Sequence, residues 1–311
     1  MTTIPPVVDA DLAERLVREQ HPDLLGEIRL EASGWDNAVF RLGESLTVRL
    51  PRRPEAVPLV LSEQRWLPTL AAVVTVPVSV PVRAGHPSPV FPWPWSIMRW
   101  IDGESALDHI PADLADVAPA LAEFATELHR PAPREAPANP VRGVPLATRS
   151  RAVAERIAGG LVPRGAELAA VWRSLDDVPP WEGEPIWLHG DPHPGNLLVR
   201  RVPSGLPERA ANPKPTTMDV RLDLAGVIDF GDLTSGDPAT DLAIAWTTLD
   251  PAGRAAFRER LDELDPPDTA TWARARGWAL VIGTALLASP HADVRLVGVG
   301  EHAVAQVLLG E

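Results

Sequence analysis

Four side chains able to do polar chemistry stand close together in one short segment. His189, Asp191, His193 and Asn196 lie within eight residues, in the sequence H-G-D-P-H-P-G-N. The prolines and glycines among them exclude a helix, and apolar runs flank the segment on both sides. The pattern therefore predicts a rigid polar turn between two short strands.

A further carboxylate follows at the end of an apolar run. Asp229 closes the apolar stretch of G-V-I-D-F-G, residues 226–231. Together with Asp191 and with the carboxamide of Asn196, five residues after Asp191, it offers oxygen ligands. Mg²⁺ takes a few such ligands and completes its shell with water and phosphate oxygens. The spacing therefore favours Mg²⁺ and phosphate chemistry.

A metal-dependent hydrolase is the alternative interpretation of the same segment. His189 and His193 have a spacing that zinc sites use. No further histidine cluster follows, and Asn196 and the I-D-F-G turn would then have no role. The Mg²⁺ interpretation is the one that accounts for all these residues.

Composition excludes several classes of protein. The chain has 311 residues, of which 45% are hydrophobic and 23% charged, enough for one large or two medium domains. It has no cysteine, which removes disulfide scaffolds, thiolate metal sites and cysteine nucleophiles. The first residues lack a signal-peptide pattern, and the longest apolar stretch, 278–288, is too short to span a bilayer. We expect a cytoplasmic protein without membrane contact; the sequence predicts no oligomeric state.

The charge is distributed unevenly. Residues 1–100 carry a net charge of −1, whereas residues 101–311 carry −12. The second part is expected to repel nucleic acid and could attract a cationic ligand, although solubility alone is the simpler explanation.

Hydrophobic periodicity and turn signals predict the elements that position these residues. Helices are expected over 9–20, 55–70, 114–128, 238–248, 252–261, 269–287 and 292–308. Strands are expected over 38–42, 45–50, 96–101, 186–188, 197–200 and 224–228, with an edge strand in 73–82. Residues 201–223, rich in Pro, Ala and Thr, are expected to form a surface loop.

H-G-D-P-H-P-G-N followed by I-D-F-G resembles the aminoglycoside phosphotransferase family, small-molecule kinases with a protein-kinase-like fold. D-P-A-T-D-L-A at 237–243 matches that family's D-P-x-x-D-L-A. A helix ending in Leu-His at 121–129 and a hinge at 97–104 match as well. The matches run in the correct order over roughly residues 30–250.

The resemblance implies an α+β, two-lobed fold. Residues 1–100 would form a nucleotide-binding lobe, a β-sheet with one key helix, and the hinge would lie near 98–104. Residues 101–311 would form a mainly helical lobe for catalysis and acceptor binding.

The resemblance also implies roles for the residues of the polar segments. Asp191 would face the acceptor hydroxyl, orient it and accept its proton, while Asn196 and Asp229 would hold Mg²⁺ on the nucleotide phosphates. His189 would brace the loop, and Asp241 would hydrogen-bond the catalytic loop from below.

Nucleotide contacts would come from two segments of the first lobe. Ser33 to Asn37 would form the loop over the phosphates, with a single glycine. Residues 98–101, including Met98 and Trp100, would present backbone groups to the base.

One departure from protein kinases concerns the phosphate-binding cation. The chain has one lysine, Lys214, in the Pro-rich stretch, and Arg49 stands at the place of the third-strand lysine. Arginine binds phosphate bidentately and stays charged, so the function survives the exchange. Glu63 would pair with Arg49 from the key helix.

The implied reaction transfers the γ-phosphate of ATP or GTP to a hydroxyl of a small molecule, an aminoglycoside-like or macrolide antibiotic. The acidic second part of the chain favours a cationic acceptor. A metabolic kinase acting on choline, homoserine or a sugar is the alternative, so the role in resistance or in metabolism stays open. A nucleotide-binding pseudokinase is a further alternative, but it would have no chemical reason to keep Asp191, Asn196 and Asp229 together.

Overall fold

The computed structural model describes residues 7–175, 177–203, 220–289 and 293–310. The chain divides into two compact units. Unit 1 is Met1–Asp102 with Val227–Leu233, and unit 2 is Gly103–Gly226 with Thr234–Glu311. The segment that carries Asp229 therefore belongs to unit 1, although it lies far along the chain.

Unit 1 is an antiparallel sheet with two helices. Its elements are α1 (Ala10–Gln20), β1 (Ile28–Ser33), β2 (Asn37–Leu42), β3 (Leu46–Pro51), α2 (Val57–Leu70), β4 (Pro81–Gly85) and β5 (Trp95–Arg99). The strand order is β1-β2-β3-β5-β4. Helix α1 begins where Asp9 accepts a hydrogen bond from the Leu12 N–H at 2.9 Å, as an N-cap does.

The β2–β3 hairpin sets the register of the sheet. Gly43 turns the chain with φ +56°, a conformation that glycine adopts without strain. Phe40 then pairs with Val48, and both are fully buried against α1 and β5. The same register places Arg49 opposite Val39 on β2 and opposite Ser96 on β5.

The edge strand lies further along the chain than the sequence predicts. The β-branched run 73–82 predicts a strand, but β4 spans 81–85 and is the edge of the sheet. Pro81 opens the strand, where its missing N–H is harmless, whereas Pro77 within the run interrupts a ladder. Val78 makes only an isolated bridge, to Val227.

Helix α2 turns a carboxylate into the interior. Its buried positions are Val60, Glu63, Leu67 and Leu70, which follow helical spacing. Glu63 therefore lies on the buried face of α2, inside unit 1. The predicted helix over 55–70 differs from α2 only by the 3-10 turn Pro54–Ala56 that precedes it.

Unit 2 is mainly helical and contains two small sheets. Its elements are β6 (Glu104–Ser105), α3 (Ala118–Leu128), α4 (Ser150–Ala158), α5 (Gly165–Arg173), β7 (Ile186–Leu188), β8 (Leu197–Pro203), β9 (Val220–Val227, whose last residue counts with unit 1), β10 (Thr234–Gly236), α6 (Ala239–Leu242), α7 (Ile244–Thr247), α8 (Pro251–Leu264), α9 (Thr269–Leu287) and α10 (Val294–Leu309). The sheets are β10-β7 and β6-β8-β9. Helices α9 and α10 approach closely at Gly283 and Gly300, where an added Cβ would meet atoms of the other helix at 3.0 Å.

The expected loop at 201–223 is wrong at both ends. Residues 201–203 continue β8 and residues 220–223 begin β9, so the two strands extend beyond the predicted 197–200 and 224–228. Residues 204–219, including Lys214, lie outside the described residues.

None of the helices in the described ranges combines the length and the apolar character needed to cross a bilayer.

Candidate active site

In unit 1 the structure brings Arg49, Glu63 and Asp229 together. The Nη1 atom of Arg49 donates to Oε1 of Glu63 at 2.6 Å, and its Nη2 atom donates to Oδ1 of Asp229 at 2.6 Å. Arg49 and Glu63 are 9% and 2% exposed in their side chains. Strand β3, helix α2 and the turn after β9 each supply one member of this cluster, which we call the Arg49 cluster.

Asn37 completes the Arg49 cluster from the start of β2. With its amide oriented so that the oxygen faces Arg49, this oxygen accepts from Nη2 at 2.9 Å and from Nε at 3.1 Å. The guanidinium thus has polar partners on three sides, which fixes its position in the sheet.

The charges of the Arg49 cluster oppose its burial. Burial alone would lower the pKa of Arg49, but Glu63 and Asp229 outweigh it and raise that pKa, so the guanidinium stays charged. Burial raises the pKa of Glu63 to about 7, against the pull of Arg49 and with the repulsion of Asp229. Arg49 is the cation on which this arrangement depends.

Asp229 has an unusual backbone conformation. Its φ of 62° and ψ of 71° lie in the left-handed region, which is rare for a residue other than glycine. This conformation ends the β9 run and starts the 3-10 turn Phe230–Asp232. The Asp229 side chain is 54% exposed, so solvent reaches its carboxylate group.

Two arginines hold the loop after β1. Arg52 Nη1 donates to the Gly34 carbonyl at 2.6 Å, and Arg53 pairs with Asp36 at 2.5 Å. No motif or periodicity in the sequence indicates this contact. Trp35 stands at the tip of the loop, 65% exposed, and Ser33 precedes it, also exposed.

The segment expected to contact the base is partly engaged. Met98 is buried in β5, between Thr47 and Pro81. The N–H groups of Arg99 and Trp100 donate to the Val80 and Ser45 carbonyls, both at 2.9 Å. A base contact by residues 98–101 would therefore use the other backbone groups of this segment.

In unit 2 the segment between β7 and β8 forms the expected polar turn. Asp191 is its central acid and is 26% exposed. Arg142 Nη2 donates to Asp191 Oδ1 at 2.9 Å, and His193 Nε2 lies 3.4 Å from Asp191 Oδ2. The Nδ1 atom of His193 accepts from the Gly195 N–H at 3.0 Å, so the proton of a neutral His193 is on Nε2, toward Asp191.

The neighbours of Asp191 favour its ionised form. Its burial alone would raise its pKa, but Arg142 and His193 outweigh burial and hold the pKa of Asp191 well below its usual range. A carboxylate of this kind is a weak base and a strong hydrogen-bond acceptor.

The carboxamide of Asn196 is oriented by the same turn. Its Nδ2 donates to the Asp191 carbonyl at 2.8 Å, and the residue is buried. This bond fixes the orientation of the Asn196 amide group.

Asp241 braces the turn from the start of α6. Its Oδ2 accepts from the His189 N–H at 2.8 Å, and its Oδ1 accepts from the Gly190 N–H at 2.9 Å. His129, at the end of α3, lies 3.3 Å from Oδ2 through its Nε2. His189 in turn accepts the Asp191 N–H at its Nδ1, at 3.3 Å. The predicted supporting residues therefore contact the backbone beside Asp191.

Asp237, the first acid of D-P-A-T-D-L-A, links the segment that carries Asp241 to helix α9. Arg274 on α9 donates through Nε to Asp237 Oδ2 at 2.7 Å, and both side chains are nearly inaccessible.

The donor set fits Mg²⁺ on a nucleotide better than a self-sufficient metal centre. The described residues contain no group of three or more His, Asp or Glu side chains that could hold a metal ion. Taken each within its own unit, Asp229 and Asn196 offer one oxygen apiece, a ligand type that suits an ion completing its shell with phosphate and water. The hydrolase alternative, with His189 and His193 as ligands, does not fit, because His193 Nδ1 accepts from Gly195 and His189 Nδ1 from Asp191.

Arg142 is the contact of Asp191 that sequence reasoning misses. It stands in a stretch rich in proline and glycine, residues 131–145, which has no periodicity and no motif. The packing of Gly143 against Ser235 and Leu188 brings this stretch to the polar turn. No signal in the sequence indicates that contact.

Comparison with known proteins agrees with the fold and the motifs. The family profile described as "Phosphotransferase enzyme family" matches residues 27–206 and 220–278. A search of curated protein sequences gives no match. The chain belongs to this phosphotransferase family. The candidate site residues described above lie within the matched region.

Solved structures of antibiotic phosphotransferases share the fold. The GDP complex of aminoglycoside 2'-phosphotransferase-IIIa has a TM-score of 0.66 at 18% identity, covering 96% of this chain and 98% of that chain. Macrolide 2'-phosphotransferase MphH from Brachybacterium faecium has a TM-score of 0.59 at 21% identity, covering 97% and 99%. The ternary complex of APH(2")-IIa with streptomycin and ATP has a TM-score of 0.57 at 18% identity, covering 98% and 97%. The chain therefore has the protein-kinase-like fold of these enzymes and is a phosphotransferase.

Proposed function

We propose that the protein transfers the γ-phosphate of ATP or GTP to a hydroxyl of a small molecule in the cytoplasm. Unit 1 is the nucleotide-binding lobe, and unit 2 is the catalytic and acceptor-binding lobe. The observation that supports this most is the Arg49 cluster, in which a buried cation is held by Glu63 at 2.6 Å and by Asp229 at 2.6 Å. A buried ion pair adds little to stability, because apolar residues of similar volume in its place are often equally stable. A role in binding phosphate therefore explains the buried arginine better than stability does.

The roles of the side chains follow from their environment. Asp191 receives and orients the acceptor hydroxyl, since its pKa is held well below the usual range and it is ionised. A weak base suffices, because the transition state of phosphoryl transfer is loose and the hydroxyl loses its proton late. Asn196 and Asp229 would hold Mg²⁺, which neutralises charge on the transferring phosphates. Ser33, Asn37, Met98 and Trp100 belong to the segments that enclose the nucleotide.

The acceptor is a small alcohol. Aminoglycosides and macrolides are the first acceptors to test, because the structural neighbours are phosphotransferases of these antibiotics; an antibiotic acceptor would make the protein a resistance enzyme. Choline, homoserine and sugars are the metabolic alternatives.

A coupled assay of nucleoside diphosphate release tests the proposal. Wild-type protein is incubated with Mg²⁺, with ATP or GTP, and with each acceptor class in turn. We expect one class to stimulate release, and D191A to lower turnover by about 10²-fold or more, as loss of a general base does. D191A leaves the proposed nucleotide-binding residues of unit 1 unchanged, so its nucleotide affinity should equal that of the wild type.

Two outcomes would contradict the proposal. Equal turnover by D191A and the wild type would remove Asp191 from the chemistry. Wild-type protein that binds neither ATP nor GTP in calorimetry would remove the nucleotide donor on which the proposed reaction depends.

A further inference from the structure

The loop of residues 33–37, which joins β1 to β2, is held by the segment that directly follows β3. This segment contains Arg52 and Arg53, the two residues after the last residue of β3. Loop, strand and arginines all belong to unit 1. The function proposed above gives the 33–37 loop to the nucleotide and leaves the two arginines without a role.

Arg52 holds the backbone of the loop on both sides of Trp35. Its Nη1 atom donates to the Gly34 carbonyl at 2.6 Å, and its own N–H donates to the Asp36 carbonyl at 2.8 Å. The Gly34 N–H in turn donates to the Asn37 carbonyl at 2.9 Å. The backbone of the loop tip is therefore tied to the residue that follows β3.

Arg53 holds the side chains of the loop tip. Its Nε and Nη2 atoms contact Oδ1 of Asp36 at 2.7 and 2.5 Å, and its guanidinium lies over the ring of Trp35, 5.2 Å from the ring centroid. A guanidinium within about 6 Å of an indole face makes a favourable cation–π contact. Trp35 is 65% exposed, so burial in a core does not fix its position. One arginine thus contacts both large side chains of the loop tip.

The pair of Arg29 with Glu31 shows an ordinary surface contact in the same unit. Both residues lie on β1, 3.1 Å apart, and their side chains are 61% and 31% exposed. Such a pair joins residues that the strand already holds together, and it adds little to stability. Arg53 instead joins two segments 17 residues apart, so it restrains the loop relative to β3.

The loop is tied at a second place to the same strand. Asn37, its last residue, accepts from Nη2 and Nε of Arg49 at 2.9 and 3.1 Å. Arg49 stands on β3 three residues before Arg52 and is the phosphate-binding cation of the proposed function. Ordering a loop costs conformational entropy, and a ligand binds more tightly when this cost is met before it arrives. These contacts place such an ordered loop on the strand that carries Arg49.

We propose that Arg53 is a positioning residue for the nucleotide, which holds the 33–37 loop against β3 in the conformation that binds the phosphates. This inference rests on the proposed function and adds a residue to its nucleotide site. Arg53 acts through the loop and not on the reacting atoms. The planar fork of the guanidinium is the required feature, because lysine has the same charge but a single nitrogen. A lysine cannot contact Asp36 with two nitrogens and also lie flat over Trp35.

Calorimetry of the full chain with Mg²⁺ and non-hydrolysable analogues of ATP and GTP tests the role of Arg53. We expect R53Q to raise Kd by about tenfold or more, the loss that one hydrogen bond to a charged group carries. R53K keeps the charge and should weaken binding to a similar extent. R29Q, which removes the exposed arginine of β1, should bind like the wild type. Binding by R53K equal to that of the wild type would assign the effect to charge alone and overturn the inference.

Hydrogen exchange of the free protein tests the order of the loop directly. The N–H groups of Gly34 and Arg52 should exchange slowly in the wild type and in R29Q, because both are hydrogen-bonded within the loop. In R53Q and R53K they should exchange faster, and saturating nucleotide should slow them again. Equal exchange in R53Q and the wild type, without nucleotide, would show that Arg53 does not hold the loop.

Steady-state kinetics with the acceptor class that stimulates turnover gives a third measurement. R53Q should raise the KM for the nucleotide and retain kcat, since the loop binds the nucleotide and the reacting groups are unchanged. A lower kcat with an unchanged KM would overturn the inference. Wild-type protein that binds the nucleotide, together with equal binding by R53Q, would remove the role of Arg53 and leave the proposed phosphotransfer intact. Wild-type protein that binds neither ATP nor GTP would remove both.

Discussion

The Nη2 atom of Arg142 donates to Oδ1 of Asp191 at 2.9 Å, so the acid expected to receive the acceptor hydroxyl is already paired with a cation. His193 Nε2 stands 3.4 Å from the other oxygen. The carboxylate is thus held in place and kept ionised by neighbours that lie within its own unit, and the pH dependence of phosphotransfer depends on them.

We predict that R142Q moves the acid limb of the pH–activity profile to higher pH. Burial tends to raise the pKa of Asp191, and Arg142 is the first of the groups that hold it below the usual range. Loss of a cation at this distance raises a carboxyl pKa by about 1–3 pH units. Since activity needs the ionised acid, R142Q should lose activity, as pH falls, at a higher pH than the wild type. Profiles of kcat at saturating acceptor check this prediction. R151Q is the control, because it removes an exposed arginine that pairs with Glu155. Identical acid limbs in R142Q and the wild type would contradict the prediction.

The ion pair of Arg49 with Glu63 makes a prediction about stability. R49M should lower the free energy of unfolding by about 3–5 kcal/mol, the cost of leaving a buried charge without its partner. The double variant R49M/E63L removes both charges and should recover most of that loss. Neither R49M nor R49M/E63L should bind the nucleotide, because the proposed phosphate-binding cation is gone. Urea unfolding and calorimetry with the nucleotide measure the two effects. A double variant as unstable as R49M would show that the packing of Arg49, not its charge, is what matters.

The stability of R49M should also depend on pH in a defined direction. The pKa of Glu63 in the folded protein is raised, by burial first, to about 7, and losing Arg49 raises it further. A group whose folded pKa is raised stabilises the fold while it is protonated and loses this contribution as pH rises through that pKa. The deficit of R49M relative to the wild type should therefore be small near pH 5 and grow toward pH 8. A deficit that shrinks over this range in urea unfolding would contradict the assignment.

Asp241 gives a prediction that separates positioning from chemistry. It accepts the N–H groups of His189 and Gly190, which D241A would leave buried and unpaired, at about 1–3 kcal/mol for each. D241A should therefore lower both stability and kcat, with the KM for the nucleotide unchanged, because unit 1 is not altered. D241N keeps one acceptor oxygen and should recover part of kcat. Equal losses in D241N and D241A would mean that the negative charge is needed, not the hydrogen bonds.

The elements around the site could be predicted from sequence where periodicity is long or a motif fixes the turn. Helix α9 has the predicted bounds Thr269–Leu287 because its apolar residues continue over five turns. The polar turn from His189 to Asn196 lies between two strands as predicted, since its prolines and glycines exclude other structures.

Other features depend on contacts between distant segments and leave no local pattern. Arg142 reaches Asp191 across 49 residues from a stretch without periodicity. The three-residue strand β10 forms because Leu188 and its neighbours offer an edge, not because its own sequence favours a strand. The predicted edge strand at 73–82 is wrong for the same reason: pairing with β5 places the strand at Pro81–Gly85, mostly beyond the β-branched run.

Asp229 makes the most specific prediction, because its backbone and its charge can be separated. Its φ of 62° is tolerated by asparagine but costs alanine about 1 kcal/mol or more. D229N should therefore keep nearly the stability of the wild type, whereas D229A should lose about 1 kcal/mol or more. Both variants lose the carboxylate that pairs with Arg49 at 2.6 Å and would hold Mg²⁺. We expect nucleotide affinity to become independent of Mg²⁺ in both variants, measured by calorimetry with and without the ion, and thermal unfolding to rank D229N above D229A. Affinity that still rises with Mg²⁺ in D229N would remove Asp229 from the metal site, and equal stability of the two variants would show that the left-handed backbone imposes no cost there.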